Sequence, residues 1–240
     1  DDVRGTKFGD QVLGSSGANS FWGLEGNDTF NGAAGIDGIF YGEDYRTGGT
    51  AGAVVDLGAG TATDGFGDTD TLISVENAHG SEAGDDFTGS NAENRLVGWG
   101  GNDTMDGGFG NDILLGGEGD DSLMGGGNDD ELWGDEGNDF IDGGAGGGDL
   151  IRYVSATSAV TANLTTGAVE DGLGFTDTVV NVENVHGSDF GDSLTGNSAA
   201  NRLVGFLGDD SLRGNGGNDI LLGGDGNDDI QGGDGVDEIW

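Results

Sequence analysis

Aspartate recurs every nine residues in the middle of this chain, each time with the same kinds of neighbour. From Gly98 to Asp142 the sequence divides into five blocks of nine: GWGGNDTMD, GGFGNDILL, GGEGDDSLM, GGGNDDELW and GDEGNDFID. Each block opens with glycine and has aspartate at position six and an apolar residue at position eight. Ca²⁺ takes about six to eight hard oxygen ligands, mostly carboxylates and backbone carbonyls. The regularly spaced aspartates are therefore candidate ligands for a hard cation such as Ca²⁺.

The glycines and the apolar residues indicate the elements that position these aspartates. Glycine tolerates positive φ, so a glycine-rich half-block can turn tightly. Alternate carbonyls of such a backbone point the same way, so the carbonyls of positions two and four can join the position-six carboxylate. The three residues after the aspartate form a short strand, whose middle side chain points inward.

The block resembles the GGxGxDxUx nonapeptide of RTX calcium-binding proteins, in which U is apolar. This resemblance implies an all-β parallel β-roll, a β-solenoid in which two blocks make one coil of about 18 residues. It also implies that ions lie between the loop of one block and the loop two blocks further on. The expected metal ligands, from positions two, four and six, are Gly26, Asp28, Gly35, Asp37, Asp85, Gly101, Asp103, Gly108, Gly110, Asp112, Gly117, Gly119, Asp121, Gly126, Asn128, Asp130, Asp135, Gly137, Asp139, Asp192, Gly208, Asp210, Asn215, Gly217, Asp219, Gly224, Gly226, Asp228, Gly233, Gly235 and Asp237.

Counting pairs of loops predicts about 12 calcium ions. Position six is asparagine in three blocks (Asn19, Asn94 and Asn201), where an uncharged amide predicts weaker or absent ions. Without metal, carboxylates on adjacent layers would stand about 5 Å apart and repel one another. We therefore expect the chain to be disordered without calcium and to fold when calcium binds.

The composition agrees with a chain built around metal. It has 56 Gly in 240 residues, no Pro, no Cys and a formal net charge of −39. The absence of proline and of a three-residue period excludes collagen. Nucleic acid and anionic membranes are unfavourable partners for such a polyanion, and no apolar run is long enough for membrane insertion.

Two similar segments interrupt the nine-residue rhythm. DLGAGTATDGFGDTDTLISVENAHGS aligns with NLTTGAVEDGLGFTDTVVNVENVHGS, with equivalent residues 107 positions apart. The predicted organisation is an array over 1–40, a β-rich insert over 41–79, an array over 80–151, a second insert over 152–186 and an array over 187–240. Both ends of the sequence fall inside the pattern, so we expect an excerpt of a longer protein.

Position nine predicts an apolar stripe on one side of the roll. Blocks on the same side recur every 18 residues, and their ninth residues form the candidate docking stripe: Trp22, Phe40, Val97, Leu115, Trp133, Ile151, Val204, Leu222 and Trp240. A bare apolar stripe is unusual on a soluble protein. Either the inserts or neighbouring arrays cover it, or it docks another domain of the same chain, another copy or a polysaccharide.

Each insert ends in a Glu-x-x-His motif, Glu76 to His79 and Glu183 to His186. Zinc sites need three or four converging protein ligands, so structural use of the histidines at the insert boundary is expected. The glutamates either accept backbone N–H bonds or join an edge calcium site. No nucleophile elbow, HExxH motif or phosphate loop is found, and we predict no enzymatic activity.

Three functions fit these patterns. The favoured one, implied by the RTX resemblance, is a calcium-dependent structural segment of a secreted or cell-surface bacterial protein. Such a segment passes unfolded through the type I secretion machinery and folds outside the cell. The alternatives are an extracellular polysaccharide-binding module and a self-assembling surface-layer or matrix element.

Overall fold

The computed structural model describes the backbone of residues 1–240 and all side chains except those of residues 45 and 47. The chain divides into two compact units, Asp1–Met124 and Gly125–Trp240. Unit 1 contains one short helix, α1, and fourteen short strands, the last of which crosses the boundary: β1 (Asp2–Arg4), β2 (Gln11–Leu13), β3 (Ser20–Trp22), β4 (Thr29–Asn31), β5 (Gly38–Phe40), α1 (Gly42–Thr47), β6 (Val54–Asp56), β7 (Thr61–Thr63), β8 (Thr69–Ile73), β9 (Asn77–His79), β10 (Asp86–Ser90), β11 (Arg95–Gly100), β12 (Thr104–Gly108), β13 (Ile113–Glu118) and β14 (Ser122–Gly127).

Unit 2 is built in the same way from strands alone. They are β15 (Glu131–Glu136), β16 (Phe140–Ala145), β17 (Leu150–Arg152), β18 (Thr161–Asn163), β19 (Ala168–Glu170), β20 (Thr176–Val180), β21 (Asn184–His186), β22 (Ser193–Thr195), β23 (Arg202–Leu207), β24 (Ser211–Gly216), β25 (Ile220–Asp225), β26 (Asp229–Asp234) and β27 (Glu238–Ile239).

Each unit has two sheets whose strands alternate along the chain. In unit 1 the orders are β1-β3-β5-β9-β11-β13 and β2-β4-β8-β7-β6-β10-β12-β14. In unit 2 they are β15-β17-β21-β23-β25-β27 and β16-β20-β19-β18-β22-β24-β26. Array neighbours pair in parallel at an 18-residue offset, for example Leu96 with Leu114 and Leu203 with Leu221. The prediction of an all-β parallel β-roll is confirmed.

The core of each unit is the column of position-eight side chains. Met105, Leu114 and Leu123 in unit 1, and Leu132 and Ile141 in unit 2, are completely buried. Because a strand alternates its side chains, burying position eight directs positions seven and nine outward. These residues come from strands of both sheets, so one buried residue per strand sets which side chains of that strand point inward.

Both inserts add an antiparallel hairpin to an otherwise parallel sheet. In unit 1, β6 pairs with β7 and β7 with β8, both antiparallel, while β8 and β6 pair in parallel with array strands. In unit 2, β18, β19 and β20 repeat this arrangement. The inserts therefore continue the stack of layers.

Ile151 lies in the core, so its assignment to the apolar stripe was wrong. β17 aligns Ile151 with Leu132, a position-eight residue, and its side chain is completely buried. The block that begins at Gly143 has one extra residue before its aspartate, and Asp149 nevertheless occupies the position-six place. The residue in the position-nine place is therefore Arg152.

Candidate metal centre

Position-six carboxylates join each layer to the one before it. The Oδ1 atom of Asp103 accepts a hydrogen bond from the backbone N–H of Asp85, at 2.6 Å. In unit 2, Asp210 accepts from Asp192 at 2.7 Å, and Asp219 accepts from Asn201 at 2.8 Å. The aspartate therefore bridges layers 18 residues apart with one oxygen.

The second oxygen, Oδ2, has a different environment. For one set of aspartates it is buried and has no hydrogen-bond donor among the described residues: Asp28, Asp37, Asp103, Asp149, Asp210 and Asp219. A buried carboxylate oxygen without a partner is costly. Burial raises the pKa of Asp103 to about 8 and the pKa of Asp28 to about 6. These oxygens are therefore candidate ligands for a cation.

The first glycine of each block makes room for that carboxylate. A Cβ on Gly98 would overlap the Oδ2 atom of Asp103 and lie 2.7 Å from the carbonyl oxygen of Gly116 in the next layer. In unit 2, a Cβ on Gly214 would meet Asp219 Oδ2 and the Gly232 carbonyl in the same way. A carboxylate oxygen and a carbonyl oxygen thus flank one cradle.

Positions two and four direct further carbonyls to the next layer. Gly117 and Gly119 have φ values of 119° and 125°, in the left-handed region. A Cβ on Gly117 would overlap the Trp99 carbonyl, and one on Gly119 would overlap the Gly101 carbonyl. Backbone oxygens of both positions therefore face the following loop.

The donor set fits calcium. Among the described residues, no group of three or more His, Cys, Asp or Glu side chains is placed to hold one ion. A site here would therefore draw most of its ligands from backbone carbonyls, which calcium accepts readily and which zinc sites do not use. Asp112, Asp121, Asp130 and Asp139 are buried at the same place in their blocks, while Asp228 and Asp237 are half-buried.

Asp85 and Asp192 differ from the other position-six aspartates. The Oδ2 atom of Asp85 accepts the backbone N–H of Ser81 at 2.7 Å, and that of Asp192 accepts the N–H of Ser188 at 2.6 Å. Their Oδ1 atoms accept N–H bonds from Ala53 and Val160. Both oxygens of these two carboxylates are therefore satisfied by the protein.

In the blocks with asparagine at position six, the side-chain amide also forms hydrogen bonds within the protein. Asn94 donates its Nδ2–H to the Glu76 carbonyl at 2.7 Å, and Asn201 donates to the Glu183 carbonyl at 2.8 Å. The amide thus forms a bond between layers without a metal. In the first array, Asn19 instead donates to Ser15 Oγ at 3.2 Å.

The inserts supply carboxylates that the sequence analysis missed. Asp70 accepts the backbone N–H of Asp28 at 2.9 Å, and Asp177 accepts that of Asp139 at 3.1 Å. Both stand in the position-six place although they lie outside any nine-residue block. The available signal was the shared TDT sequence, at 69–71 and 176–178, at matching places in the two inserts.

The insert glutamates accept the same kind of backbone N–H bond from the preceding layer, next to the strands of the other sheet. Glu76 accepts the N–H of Asp37 at 2.9 Å, and Glu183 accepts the N–H of Asp149 at 3.2 Å. The sequence left two roles open for these glutamates, and the structure shows them accepting backbone N–H bonds.

A buried tyrosine accompanies each insert aspartate. Tyr41 donates its hydroxyl to Asp70 Oδ2 at 3.1 Å, and Tyr153 donates to Asp177 Oδ2 at 2.9 Å. Burial, together with nearby carboxylates, raises the pKa of Asp70 and of Asp177 to about 7.

Position-nine side chains form one row along a sheet of each unit. In unit 1 the row is Arg4, Trp22, Phe40, His79, Val97 and Leu115, aligned by strand pairing and ring stacking. In unit 2 the row is Trp133, Arg152, His186, Val204, Leu222 and Trp240. Val97 and Val204 are buried, whereas Trp240 is exposed.

The histidines lie within these rows. His79 stacks on Phe40 with ring centroids 4.1 Å apart, and His186 contacts Phe206 edge-on at 5.5 Å. Burial, reinforced by neighbouring arginines, lowers the pKa of each histidine to about 4. Both are neutral packing residues at physiological pH.

Fold and donor set together define a repeat protein of the β-solenoid class with carbonyl-rich metal loops. The chain belongs to the RTX calcium-binding nonapeptide repeat family, whose model matches residues 4–39, 79–114, 115–150, 186–221 and 204–239, more than half of the sequence. No curated protein matches the chain. In the described part of the chain, no helix has the length and apolar character needed to cross a bilayer.

Proposed function

We propose that this chain is a calcium-dependent structural segment that folds when calcium enters its loops. The observation that carries the proposal is the set of buried Oδ2 atoms without a donor, exemplified by Asp103. At Asp103, Asp210 and Asp219, this oxygen and a carbonyl of the next layer flank a cradle that only glycine leaves open. Calcium in these cradles supplies the positive charge that the stacked carboxylates lack.

Charge arithmetic supports a folding role. About 12 ions would offset a large part of the net charge of −39. Each strand contributes only one residue to the core, so burial offsets little of the repulsion and chain entropy that oppose stacking. The ligands proposed are the position-two and position-four carbonyls and the position-six carboxylates.

We further propose that the segment belongs to a secreted or cell-surface bacterial protein and has no enzymatic activity. Calcium is scarce in the cytoplasm, so the chain would remain unfolded there and pass through the type I secretion machinery. It would then fold in the calcium-rich exterior. Membership of the RTX family supports this route.

A calcium titration followed by far-ultraviolet circular dichroism tests the folding proposal. We expect a disordered spectrum in chelator and a cooperative gain of β structure as calcium is added. Mg²⁺ is the matched control, because it demands small octahedral sites and gives up water reluctantly. A full β spectrum in chelator would refute the proposal.

A second candidate, polysaccharide binding, is favoured by a cavity in unit 1. The cavity has a volume of about 250 Å³, and its lining includes the rings of Trp22, Phe40, His79 and Trp99 and the charged side chains of Glu43 and Arg46. Aromatic faces beside polar groups suit the apolar face and hydroxyls of a sugar ring.

A glycan-binding screen in calcium separates this candidate from a purely structural role. Trp99, 58% exposed, lines the cavity, whereas Phe109, 62% exposed, does not. We expect Trp99→Ala to abolish binding and Phe109→Ala to leave it unchanged. Absence of binding by the unmodified chain would exclude the candidate.

A further inference from the structure

The backbone at position two adopts two different conformations among the eighteen blocks. In twelve blocks its φ is positive, from 65° at Leu24 to 119° at Gly117. We call these blocks the open loops. Their position-two residues are Leu24, Ala33, Trp99, Gly108, Gly117, Gly126, Asp135, Gly144, Phe206, Asn215, Gly224 and Gly233.

The remaining six blocks carry a serine, threonine or asparagine at position two, and none of these residues has a positive φ. We call these blocks the closed loops. In each, the position-two side chain accepts the N–H of position four, and the position-two N–H donates to the position-six side chain. The position-two residues are Thr6, Ser15, Ser81, Ser90, Ser188 and Asn197.

This turn determines whether the position-six carboxylate has an oxygen to spare. In the closed loop of Asp85, the Ser81 N–H lies 2.7 Å from Oδ2. In the open loop that follows it on the same side, Trp99 has φ of 80°, and Asp103 Oδ2 has no donor in the described part of the chain. Asp192 and Asp210 show the same contrast in unit 2.

Open loops are maintained even where their conformation is costly. Trp99 and Phe206 have φ values of 80° and 78°, in a region that disfavours side chains with a Cβ. Local strain of this kind is often retained at functional sites. Position four differs between the Trp99 and Ser81 loops as well: it is Gly101 with φ of 98° in the open loop, but alanine, with no positive φ, at Ala83 in the closed loop.

We infer that the residue at position two decides which loops take calcium. Open loops accept an ion through the second carboxylate oxygen, whereas closed loops complete their own hydrogen bonds and accept none. Serine or threonine at position two therefore marks an ion-free loop even when position six is aspartate. This inference rests on the proposed calcium function, and it excludes Asp85 and Asp192 from the ligands expected from the sequence.

Asparagine can occupy either kind of loop. Asn197 forms the closing turn, while Asn215 has φ of 73° in an open loop. Asparagine tolerates the left-handed region better than other residues that carry a Cβ. The sequence signal is thus reliable for serine and threonine in this chain, and only the structure distinguishes the two asparagines.

Closed loops occur in consecutive pairs, so each pair forms one complete coil. The pairs cover residues 5–22 and 80–97 in unit 1 and residues 187–204 in unit 2. The pairs at 80–97 and 187–204 each follow an insert directly. On this inference, the coil next to an insert holds no ion, and calcium binds from the coil that follows.

Native mass spectrometry of the full chain, which counts bound ions directly, tests the inference through a matched pair at one position. Trp99→Ser provides the closing side chain, whereas Trp99→Gly keeps the open conformation. We expect Trp99→Ser to bind one ion fewer than Trp99→Gly, and Trp99→Gly to bind as many as the unmodified chain. Equal counts in the two variants would overturn the inference.

A gain of binding provides the reciprocal test. The double variant Ser81→Gly/Ala83→Gly converts a closed loop to the open pattern while retaining Asp85. We expect one additional ion, with circular dichroism confirming that the variant is folded. An unchanged count in the folded variant contradicts the inference, whereas an unmodified chain that binds no calcium contradicts the proposed function itself.

Discussion

At the scale of single residues, the two carboxylate oxygens of a position-six aspartate make different contacts. One oxygen ties its layer to the preceding layer, as in the bond from Asp85 N–H to Asp103. The other lies over the first glycine of its own block, where a carbonyl of the next layer also points. Glycine at position one is therefore required by close approach, because this position is not among those with positive φ.

Gly98→Ala tests this requirement. The new Cβ would overlap Asp103 Oδ2 and lie 2.7 Å from the Gly116 carbonyl, so we expect a loss of about 1–3 kcal/mol of unfolding free energy. Chemical denaturation in saturating calcium measures the loss. Gly147→Ala is the matched control, since a Cβ there would meet nothing within 4 Å. Equal stability of the two variants would contradict the claim that position one must be glycine to make room for the carboxylate.

At the scale of elements, strand β17 shows how the core overrides the spacing of the sequence. The block from Gly143 has one residue too many, and the glycine-rich loop absorbs it before Asp149. The position-six contact from Asp130 N–H to Asp149 is kept at 2.9 Å. The strand then enters the core in register, which directs Ile151 inward and leaves Arg152 over the Trp133 ring.

Alanine substitutions on neighbouring strands test this register. Ile151 is completely buried, so Ile151→Ala should cost about 2–5 kcal/mol of unfolding free energy. Leu222 is half-buried in the position-nine row, so part of its surface already faces water. Leu222→Ala should therefore lower the unfolding free energy by less than Ile151→Ala. Calcium-saturated denaturation curves give both values. A larger loss at Leu222 than at Ile151 would contradict the placement of Ile151 in the core.

The sequence was sufficient for the features that repeat. Aspartate and an apolar residue at fixed places predicted the roll, and buried residues such as Met105 and Leu114 confirm its core. Features that depend on a single contact could not be predicted from the sequence. Asp70 and Asp177 reach the position-six place through a hairpin of different length, and α1 lies in a segment without periodicity.

Closed loops show a different limit of sequence reasoning. Ser81 looks like an ordinary variant of position two, because the family pattern emphasises the glycines and the aspartate. Its effect arises from two hydrogen bonds that exist only once the loop has turned. If the inference about position two holds, an aspartate such as Asp85 is not sufficient to identify a metal site.

At the scale of the whole molecule, protons and calcium should compete for the same carboxylates. The folded, metal-free pKa of Asp103 is about 8, and those of Asp70 and Asp177 are about 7, all above the ordinary value of 3.8. A group with a raised folded pKa stabilises the fold at low pH and loses that contribution as pH rises through the folded value. Without metal, the fold should therefore weaken as pH rises.

The two histidines act in the opposite direction, but in a lower pH range. Their pKa falls from 6.5 to about 4 on folding, so their contribution is lost only as pH falls below about 6.5. Between about pH 8 and about pH 6.5, acidification in chelator should thus increase β structure by circular dichroism. In limiting calcium the sign should reverse, because protons displace the metal. A decrease of β structure in chelator over this range would contradict the raised aspartate pKa values.

A crystal structure grown in calcium, with anomalous difference maps, tests the central claim most directly. We predict a peak in contact with Asp103 Oδ2 and with backbone carbonyls of adjacent layers, and equivalent peaks at Asp210 and Asp219. Well-ordered layers whose cradles contain no cation would contradict the claim that calcium between the loops holds the roll together.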